Sequence, residues 1–100
     1  MARTNERVVY LGDVAPKAGK DAAKVSALIM GEEYVIRGDA DSDYIEGIAR
    51  NVDARMRRIA ESNQRLSLQQ AAVLAALNIA DELESSKRRA ADLLRLLEQI

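Results

Sequence analysis

The stretch SLQQAAVLAALNIADELESSKRRAADLLRLLEQI, residues 67–100, places apolar and small residues at alternating steps of three and four. This spacing is the a/d pattern of a coiled-coil helix. The positions that follow it are Ala76, Ile79, Leu83, Ser86, Ala90, Leu93, Leu97 and Ile100. We call these residues the seam. The pattern predicts one long helix whose seam packs on another copy of itself.

The sizes of the seam side chains favour an antiparallel pair. In that orientation each large residue faces a small one: Leu83 faces Ser86, Ile79 faces Ala90, and Leu93 faces Ala76. A parallel pair in register would place small residues opposite each other, and the resulting gaps destabilise a packed interface. The charges favour the same orientation, because Glu82 of one copy then lies beside Arg89 of the other.

Composition excludes several classes of function. The 100 residues contain no His and no Cys, and the formal net charge is −1. Without these side chains no recognisable nucleophile–base pair can be drawn, so we expect no enzymatic activity, cofactor or metal site. The balanced charge does not favour nucleic acid as a partner. No apolar run reaches about 18 residues, so we expect a cytoplasmic protein without a membrane span.

A β-hairpin is predicted before the helical part of the chain. The runs KVSALIM (residues 24–30) and EYVIRG (residues 33–38) are rich in strand-forming residues and flank Gly31-Glu32, which we expect to form the turn. Glycine accepts the positive φ that a tight hairpin turn requires. Alternation places Val25, Ala27 and Ile29 on one face of the first strand, and Tyr34 and Ile36 on one face of the second.

Two helices follow the hairpin. Asp41 or Ser42 can cap the first helix, whose apolar stripe is Ile45, Ile48, Ala49, Val52, Met56 and Ile59 and which we expect to end near Glu61. A calcium loop starting at Asp39 is excluded, because Tyr44 occupies its glycine position and Arg50 its glutamate position. Ser67 and Gln70 form a capping-box pattern that starts the second helix.

These elements predict an α+β chain, with a hairpin-and-helix head on a long coiled-coil helix that forms oligomers. We expect a flexible tail over residues 1–24, with a short strand at residues 8–11 as the alternative. The head covers residues 25–75 and the oligomerisation stalk residues 67–100. Residues 71–80 are apolar on nearly all sides, so we expect them to be buried against the hairpin and first helix. Within them, Asn78 is interpreted as a buried, hydrogen-bonded amide, with a partner contact as the alternative.

Three segments together resemble the ZapA family of bacterial cell-division proteins: GEEYVIRGDAD (residues 31–41), IARNVDARMRRIAE (residues 48–61) and LAALNIADEL (residues 74–83). The resemblance covers about residues 25–85. It implies a non-enzymatic protein that binds the tubulin-like GTPase FtsZ, cross-links its protofilaments and stabilises the Z-ring at midcell. It also implies homodimers, often joined antiparallel into tetramers. The short stalk favours the dimer, with a weaker, concentration-dependent tetramer.

The resemblance also implies where FtsZ docks. Within the resembling residues 25–85, the exposed end of the first helix and the neighbouring loop are the first choice, and the start of the second helix is the second. The candidates are Arg57, Arg58, Glu61, Arg65, Gln69 and Leu74. Glu32 departs from the family pattern, since some relatives carry a basic residue there. Two alternatives stay open: a generic coiled-coil adaptor, and a ribbon-helix-helix-like DNA-binding dimer.

Overall fold

A computed structural model describes residues 7–12 and 23–100 of the chain. The elements in chain order are β1 (Val8–Tyr10), β2 (Ala23–Ile29), β3 (Glu32–Gly38), α1 (Ser42–Ser62) and α2 (Leu68–Glu98). The fold is therefore α+β, with a small sheet followed by two helices, as the sequence predicts. A ribbon-helix-helix protein has one strand before its helices, whereas the described residues of this chain form three.

The three strands form one sheet in the order β1-β3-β2. β2 and β3 are the antiparallel hairpin, with Val25 opposite Ile36 and Ala27 opposite Tyr34. β1 pairs parallel with β3, placing Val9 beside Ile36. The expectation of a tail over residues 1–24 is therefore wrong at Val8–Tyr10, where the alternative of a short strand is correct, and at Ala23 and Lys24, which belong to β2. Residues 1–6 and 13–22 lie outside the described part of the chain.

The hairpin closes through a two-residue turn at Met30 and Gly31, one residue earlier than the predicted Gly31-Glu32, because Glu32 pairs with Ile29 in the sheet. Both residues have positive φ, 53° at Met30 and 81° at Gly31. Positive φ at both central residues is the type I′ turn, whose twist matches that of the flanking strands. Gly31 takes this conformation without strain, as predicted, whereas Met30 is held in a region that side chains disfavour.

The core of the first part of the chain lies between the sheet and α1. Its buried members are Val25, Ile36, Ile45 and Ala49, and Leu11 packs partly buried against them. Gly38 fits closely against this core, because a Cβ atom there would lie 3.2 Å from Leu11 Cβ and 3.5 Å from Ile45 Cδ1. The residues after β1 thus contribute to the core, although the sequence pattern did not assign them to it.

The local signals for the helices are confirmed. Asp41 caps α1, accepting a hydrogen bond from the Asp43 backbone N–H at 2.8 Å. The six residues of the predicted apolar stripe are all buried or half-buried. At α2, Ser67 Oγ accepts from the Gln70 N–H at 3.1 Å, and the Gln70 side chain accepts from the Ser67 N–H at 3.0 Å. This is the reciprocal capping box that the sequence predicts.

The expected burial of residues 71–80 is wrong within one chain. Only Ala71 and Ala75 are buried in α2, and Val73 and Leu77 are more than half exposed. Asn78 is also exposed, so its interpretation as a buried amide is wrong. The buried surface of α2 in one chain is thus a narrow stripe of two alanines. The other apolar sides of residues 71–80 stay exposed.

The chain divides into two compact units. The first ends at Arg58 and holds the sheet and most of α1, and the second, Ile59–Ile100, holds the end of α1 and all of α2. Across the residues that the structure describes, neither helix carries an apolar stretch long enough to cross a bilayer.

Candidate self-association seam and partner-binding residues

The hairpin turn is tied to α1 by one carboxylate. The Met30 backbone N–H donates to Asp53 Oδ1 at 2.7 Å. The Arg57 Nε–H, one helical turn further on, donates to Asp53 Oδ2 at 3.0 Å. Asp53 therefore uses both oxygens, one to hold the turn and one to hold an arginine. We call these three residues the turn clasp.

The surroundings of Asp53 favour its charged form. The Met30 N–H lowers the pKa of the Asp53 carboxyl below its ordinary value, and the hydrogen bond and positive charge of Arg57 lower it further. Partial removal from water acts in the opposite direction and raises this pKa, but with smaller effect. Asp53 is thus a carboxylate at neutral pH, as an acceptor of two N–H groups has to be.

The sequence reasoning gave Asp53 no role, although it belongs to the VDARM segment of residues 52–56. One signal was present: Asp53 and Arg57 are four residues apart on one predicted helix, a spacing that favours an ion pair. In the same segment, Met56 is buried. The Nε–H of Arg55 donates to Asn51 Oδ1 at 2.7 Å, within α1 itself. The segment thus combines one core residue with the clasp carboxylate.

The structure exposes all the candidate partner residues. Arg57 and Arg58 lie near the end of α1 in the first unit, and the Arg57 side chain is 55% exposed despite its bond to Asp53. The others belong to the second unit. They are Glu61 on the last turn of α1, Arg65 in the connection, and Gln69 and Leu74 on α2. Each of the two groups is exposed on its own unit.

The connection between α1 and α2 has a defined backbone. Asn63 Oδ1 accepts from the Arg65 N–H at 3.1 Å, and the Asn63 carbonyl oxygen accepts from the Leu66 N–H at 3.2 Å. Ser67 then starts α2 through its capping box. Short side-chain-to-backbone bonds of this kind fix a turn without burying it. They determine where the Arg65 backbone lies and leave its guanidinium exposed.

The seam predicted on α2 is exposed along its whole length in one chain. The exposed fractions of its large members are 37% for Ile79, 54% for Leu83, 61% for Leu93 and 65% for Leu97. The small members Ala76, Ser86 and Ala90 are exposed as well. α2 is a single helix of 31 residues, about 45 Å long at 1.5 Å per residue. A contiguous apolar surface of this kind is typical of an interaction site.

Charged pairs on α2 are local. Glu84 accepts from Lys87 Nζ at 3.4 Å, and Asp92 pairs with Arg95. All four side chains are more than half exposed, so each pair contributes little to stability. The apolar seam, and not these pairs, dominates the energetics of the helix surface.

No group of three or more His, Cys, Asp or Glu side chains within residues 7–12 and 23–100 is arranged to hold a metal ion. The acids at the start of α1 are instead accounted for by Asp41, which caps the helix. The chemically informative features of the described chain are therefore the turn clasp, the exposed arginines and the seam.

Comparison with known proteins identifies the family. The family model described as "Cell division protein ZapA" matches residues 25–100, from the second residue after the start of β2 to the end of the chain. The chain belongs to the ZapA family. Its assignment as a cell-division protein, expected from the sequence segments, is thereby confirmed.

Curated ZapA proteins share sequence with most of the chain. The ZapA of Halalkalibacterium halodurans is 29% identical over 80 residues, which cover 80% of this chain and 84% of the relative. The ZapA of a Geobacillus species is 39% identical over 62 residues, covering 62% of this chain and 71% of the relative. Strand β1 precedes the residues that the ZapA family model matches.

A solved ZapA structure shares the fold. The ZapA mutant dimer from Geobacillus stearothermophilus superposes with a TM-score of 0.64 at 30% sequence identity. The match covers 80% of this chain and 93% of that one. The small sheet with two helices, the second of them long, is therefore a ZapA architecture.

Proposed function

We propose that this chain is a non-enzymatic accessory protein of bacterial cell division that binds FtsZ and cross-links its protofilaments. In this proposal it acts in the cytoplasm at midcell, where it stabilises the Z-ring. Membership of the ZapA family and the surface of α2 support it. Residues 25–75 act as the FtsZ-binding head and residues 67–100 as the coiled-coil stalk that assembles copies.

The observation that carries the proposal is the exposure of the seam. Burying one leucine or isoleucine side chain stabilises an assembly by about 1.5–3 kcal/mol before ordering entropy is subtracted. Ile79, Leu83, Leu93 and Leu97 are all more than one third exposed in a single chain, so pairing with a second copy has a large driving force. The related structure from Geobacillus stearothermophilus is itself a dimer. We propose a homodimer, with an antiparallel dimer of dimers at higher concentration.

Cross-linking follows from such an assembly. A particle with a binding head at more than one end can hold two filaments at once, and the second contact forms at high effective concentration. Weak individual contacts are then sufficient for bundling. This is why a small head with a few exposed charges is compatible with the proposed role.

The proposed FtsZ contacts are Arg57, Arg58, Glu61 and Arg65, with Gln69 and Leu74 as second choices. FtsZ surfaces are acidic in general, so exposed arginines provide complementary charge. Arg65 is the sharpest probe, because it is exposed and lies in the connection after α1. Arg57 also holds Asp53, so that its replacement would disturb the hairpin turn together with any FtsZ contact.

The test is co-sedimentation with FtsZ assembled in GTP, together with light-scattering or microscopic detection of bundles. We expect the wild-type protein to pellet with the filaments at near-physiological salt and to thicken them. Arg58→Glu and Arg65→Glu should each reduce the pelleted fraction several-fold at equal protein concentration. Arg50→Glu is the matched control, since it reverses the same charge at an exposed position of α1 outside the proposed contact.

The outcomes separate the alternatives. Failure of the folded wild-type protein to pellet would contradict FtsZ binding and favour a coiled-coil adaptor with another client. Pelleting that Arg50→Glu reduces as strongly as Arg58→Glu would show a general charge effect and contradict the proposed contact. Circular dichroism and oligomer mass of each variant verify that the fold and the assembly are unchanged.

A further inference from the structure

Strand β1 is an edge that the ZapA family match does not include. The match begins at residue 25, whereas β1 is Val8–Tyr10. One side of β1 pairs with β3, and in the order β1-β3-β2 no strand of the described chain lies on its other side. All three of its side chains are about two-fifths exposed. The described part of the chain therefore carries an apolar sheet edge outside residues 25–100.

The backbone of β1 shows which groups face that edge. The Arg7 carbonyl oxygen accepts from Val35 N–H, and the Leu11 N–H donates to the Arg37 carbonyl oxygen, both at 2.7 Å. Arg7 and Leu11 thus point their backbone groups at β3, and alternation gives Val9 the same direction. The N–H and C=O groups of Val8 and Tyr10 consequently point away from β3, toward the open edge.

Strand β1 lacks the sequence features that usually protect an open sheet edge from pairing. Proteins protect such edges with proline, with charged side chains or with bulges. Residues 8–10 are Val-Val-Tyr and contain none of these residue types. The neighbouring Arg7 does not guard the edge either, since its guanidinium is 2.7 Å from Glu32 and lies over the Tyr34 ring at 5.7 Å. Arg7 is thus turned toward β3 and does not cover the open side of β1.

We infer that the open edge of β1 pairs antiparallel with β1 of a second copy, around a two-fold axis at Val9. In this register Val8 of each copy lies opposite Tyr10 of the other, so all four outward N–H groups of the two strands find carbonyl oxygens. Aromatic and β-branched residues opposite each other stabilise such a pair. Arg7 falls opposite Leu11, so no like charges meet. The sequence of the edge is complementary to itself.

The inferred contact is separate from the α2 seam and from FtsZ binding. Three residues form a short interface, which is weak on its own and gains strength when α2 already assembles several copies. Pairing through β1 would then join such particles into larger ones, through six-stranded sheets made from two chains. It would give this protein a second route of self-association that the ZapA-matched residues alone do not contain.

A single cysteine tests the contact, because the chain has no Cys of its own. In the inferred register the two Val9 residues form a pair without hydrogen bonds, with Cα atoms about 4.5 Å apart, which permits a disulfide. Purified Val9→Cys should form a disulfide-linked dimer under mild oxidation. Leu28→Cys is the control, because Leu28 is 65% exposed and lies on β2 at the other edge of the sheet. We expect at least a tenfold faster cross-link for Val9→Cys.

Proline substitution distinguishes pairing of the two β1 edges from cross-linking by random collision of two molecules. Tyr10→Pro removes an N–H that points away from β3, so β1 keeps its bonds to β3 while the open edge loses a donor. In the Val9→Cys background it should slow cross-linking to the Leu28→Cys rate. In the cysteine-free protein it should remove the largest species seen by sedimentation velocity at high concentration, without changing the circular dichroism.

Equal cross-linking of Val9→Cys and Leu28→Cys would overturn the inference. Unchanged cross-linking after Tyr10→Pro would do the same, because it would place the contact elsewhere. None of these measurements contains FtsZ, so their outcome does not depend on the proposed function. If sedimentation is unaffected and a β1-specific contact appears only with another protein, the edge serves that partner and not a second copy.

Discussion

The backbone N–H of Met30 and the carboxylate of Asp53 lie 2.7 Å apart, although they are 23 residues apart in the chain. Met30 occupies the hairpin turn at φ 53°, and Asp53 lies in the middle of α1. The Met30 N–H lies in the turn and is not used by the sheet. Its bond to Asp53 provides it with a charged acceptor. It also fixes the tip of the hairpin relative to α1, so the turn and the helix behave as one unit.

We expect Asp53→Ala to lower the thermal midpoint of unfolding, because it removes the acceptor of the Met30 N–H and the partner of Arg57. Asp53→Asn should have a smaller effect, since its amide oxygen can still accept from Met30 while the ion pair is lost. Glu46→Ala is the matched control at an exposed position of the same helix. Circular dichroism melts at one protein concentration measure the difference. Equal midpoints for all three variants would show that the clasp does not stabilise the head.

The clasp also makes stability depend on pH. The pKa of Asp53 is lowered in the folded state. As the pH falls below the ordinary aspartate pKa of about 3.9, Asp53 is therefore protonated in the unfolded chain before it is protonated in the folded one. The contribution of Asp53 is therefore complete above that value and is lost as the pH falls toward the folded pKa. Urea unfolding between about pH 5 and pH 2.5 should show a smaller acid loss for Asp53→Asn than for the wild type. Parallel curves for the two proteins would contradict this assignment.

The two turn residues should respond in opposite directions. Asn tolerates positive φ and precedes glycine in the preferred type I′ turn, so Met30→Asn should stabilise the chain by about 0.5–1 kcal/mol. Gly31→Ala should destabilise it by about 1–2 kcal/mol. At Gly31 no atom lies within 4 Å of the added Cβ, so the cost comes from the backbone alone. Denaturant titrations measure both. A stabilising Gly31→Ala would be incompatible with φ 81° at this position.

Leu83→Glu should dissociate the proposed assembly, because it places an unpaired charge at the centre of the seam. We expect light-scattering mass to fall at least to the next smaller species at concentrations where the wild type is assembled. Ala91→Glu is the control, since this residue is exposed on α2 and lies outside the seam. Unchanged mass for Leu83→Glu would exclude the seam as the contact, whereas unfolding of the variant would show that folding and assembly are coupled. A mass loss in both variants would indicate a general charge effect.

The features predicted correctly from the sequence are those that depend on neighbouring residues. Gly31 marks the turn, Asp41 caps α1, and Ser67 with Gln70 starts α2, each because a side chain or a φ preference acts within a few positions. The seam spacing likewise identifies a long helix. The proposed FtsZ contacts rest on the resemblance alone, because exposed arginines on a helix carry no signature of a particular partner.

What the sequence did not predict depends on distant partners. β1 is stabilised by β3, which lies more than 20 residues further along the chain, and nothing in Val-Val-Tyr specifies a parallel neighbour. Asp53 finds Met30 across a similar separation. Asn78 was assigned to the interior because its neighbours are apolar, yet a single chain supplies too few partners to bury that side of α2.

The position of β1 has a practical consequence for anyone who prepares this protein. A recombinant version trimmed to residues 25–100 would keep every residue that the family model matches. It would also strip β3 of its parallel neighbour, leave the Val35 N–H and the Arg37 carbonyl to water, and delete Leu11 beside Gly38. Such a truncated product would be less stable and more prone to aggregate than the intact polypeptide. Stability and assembly measured on it would not represent the full chain.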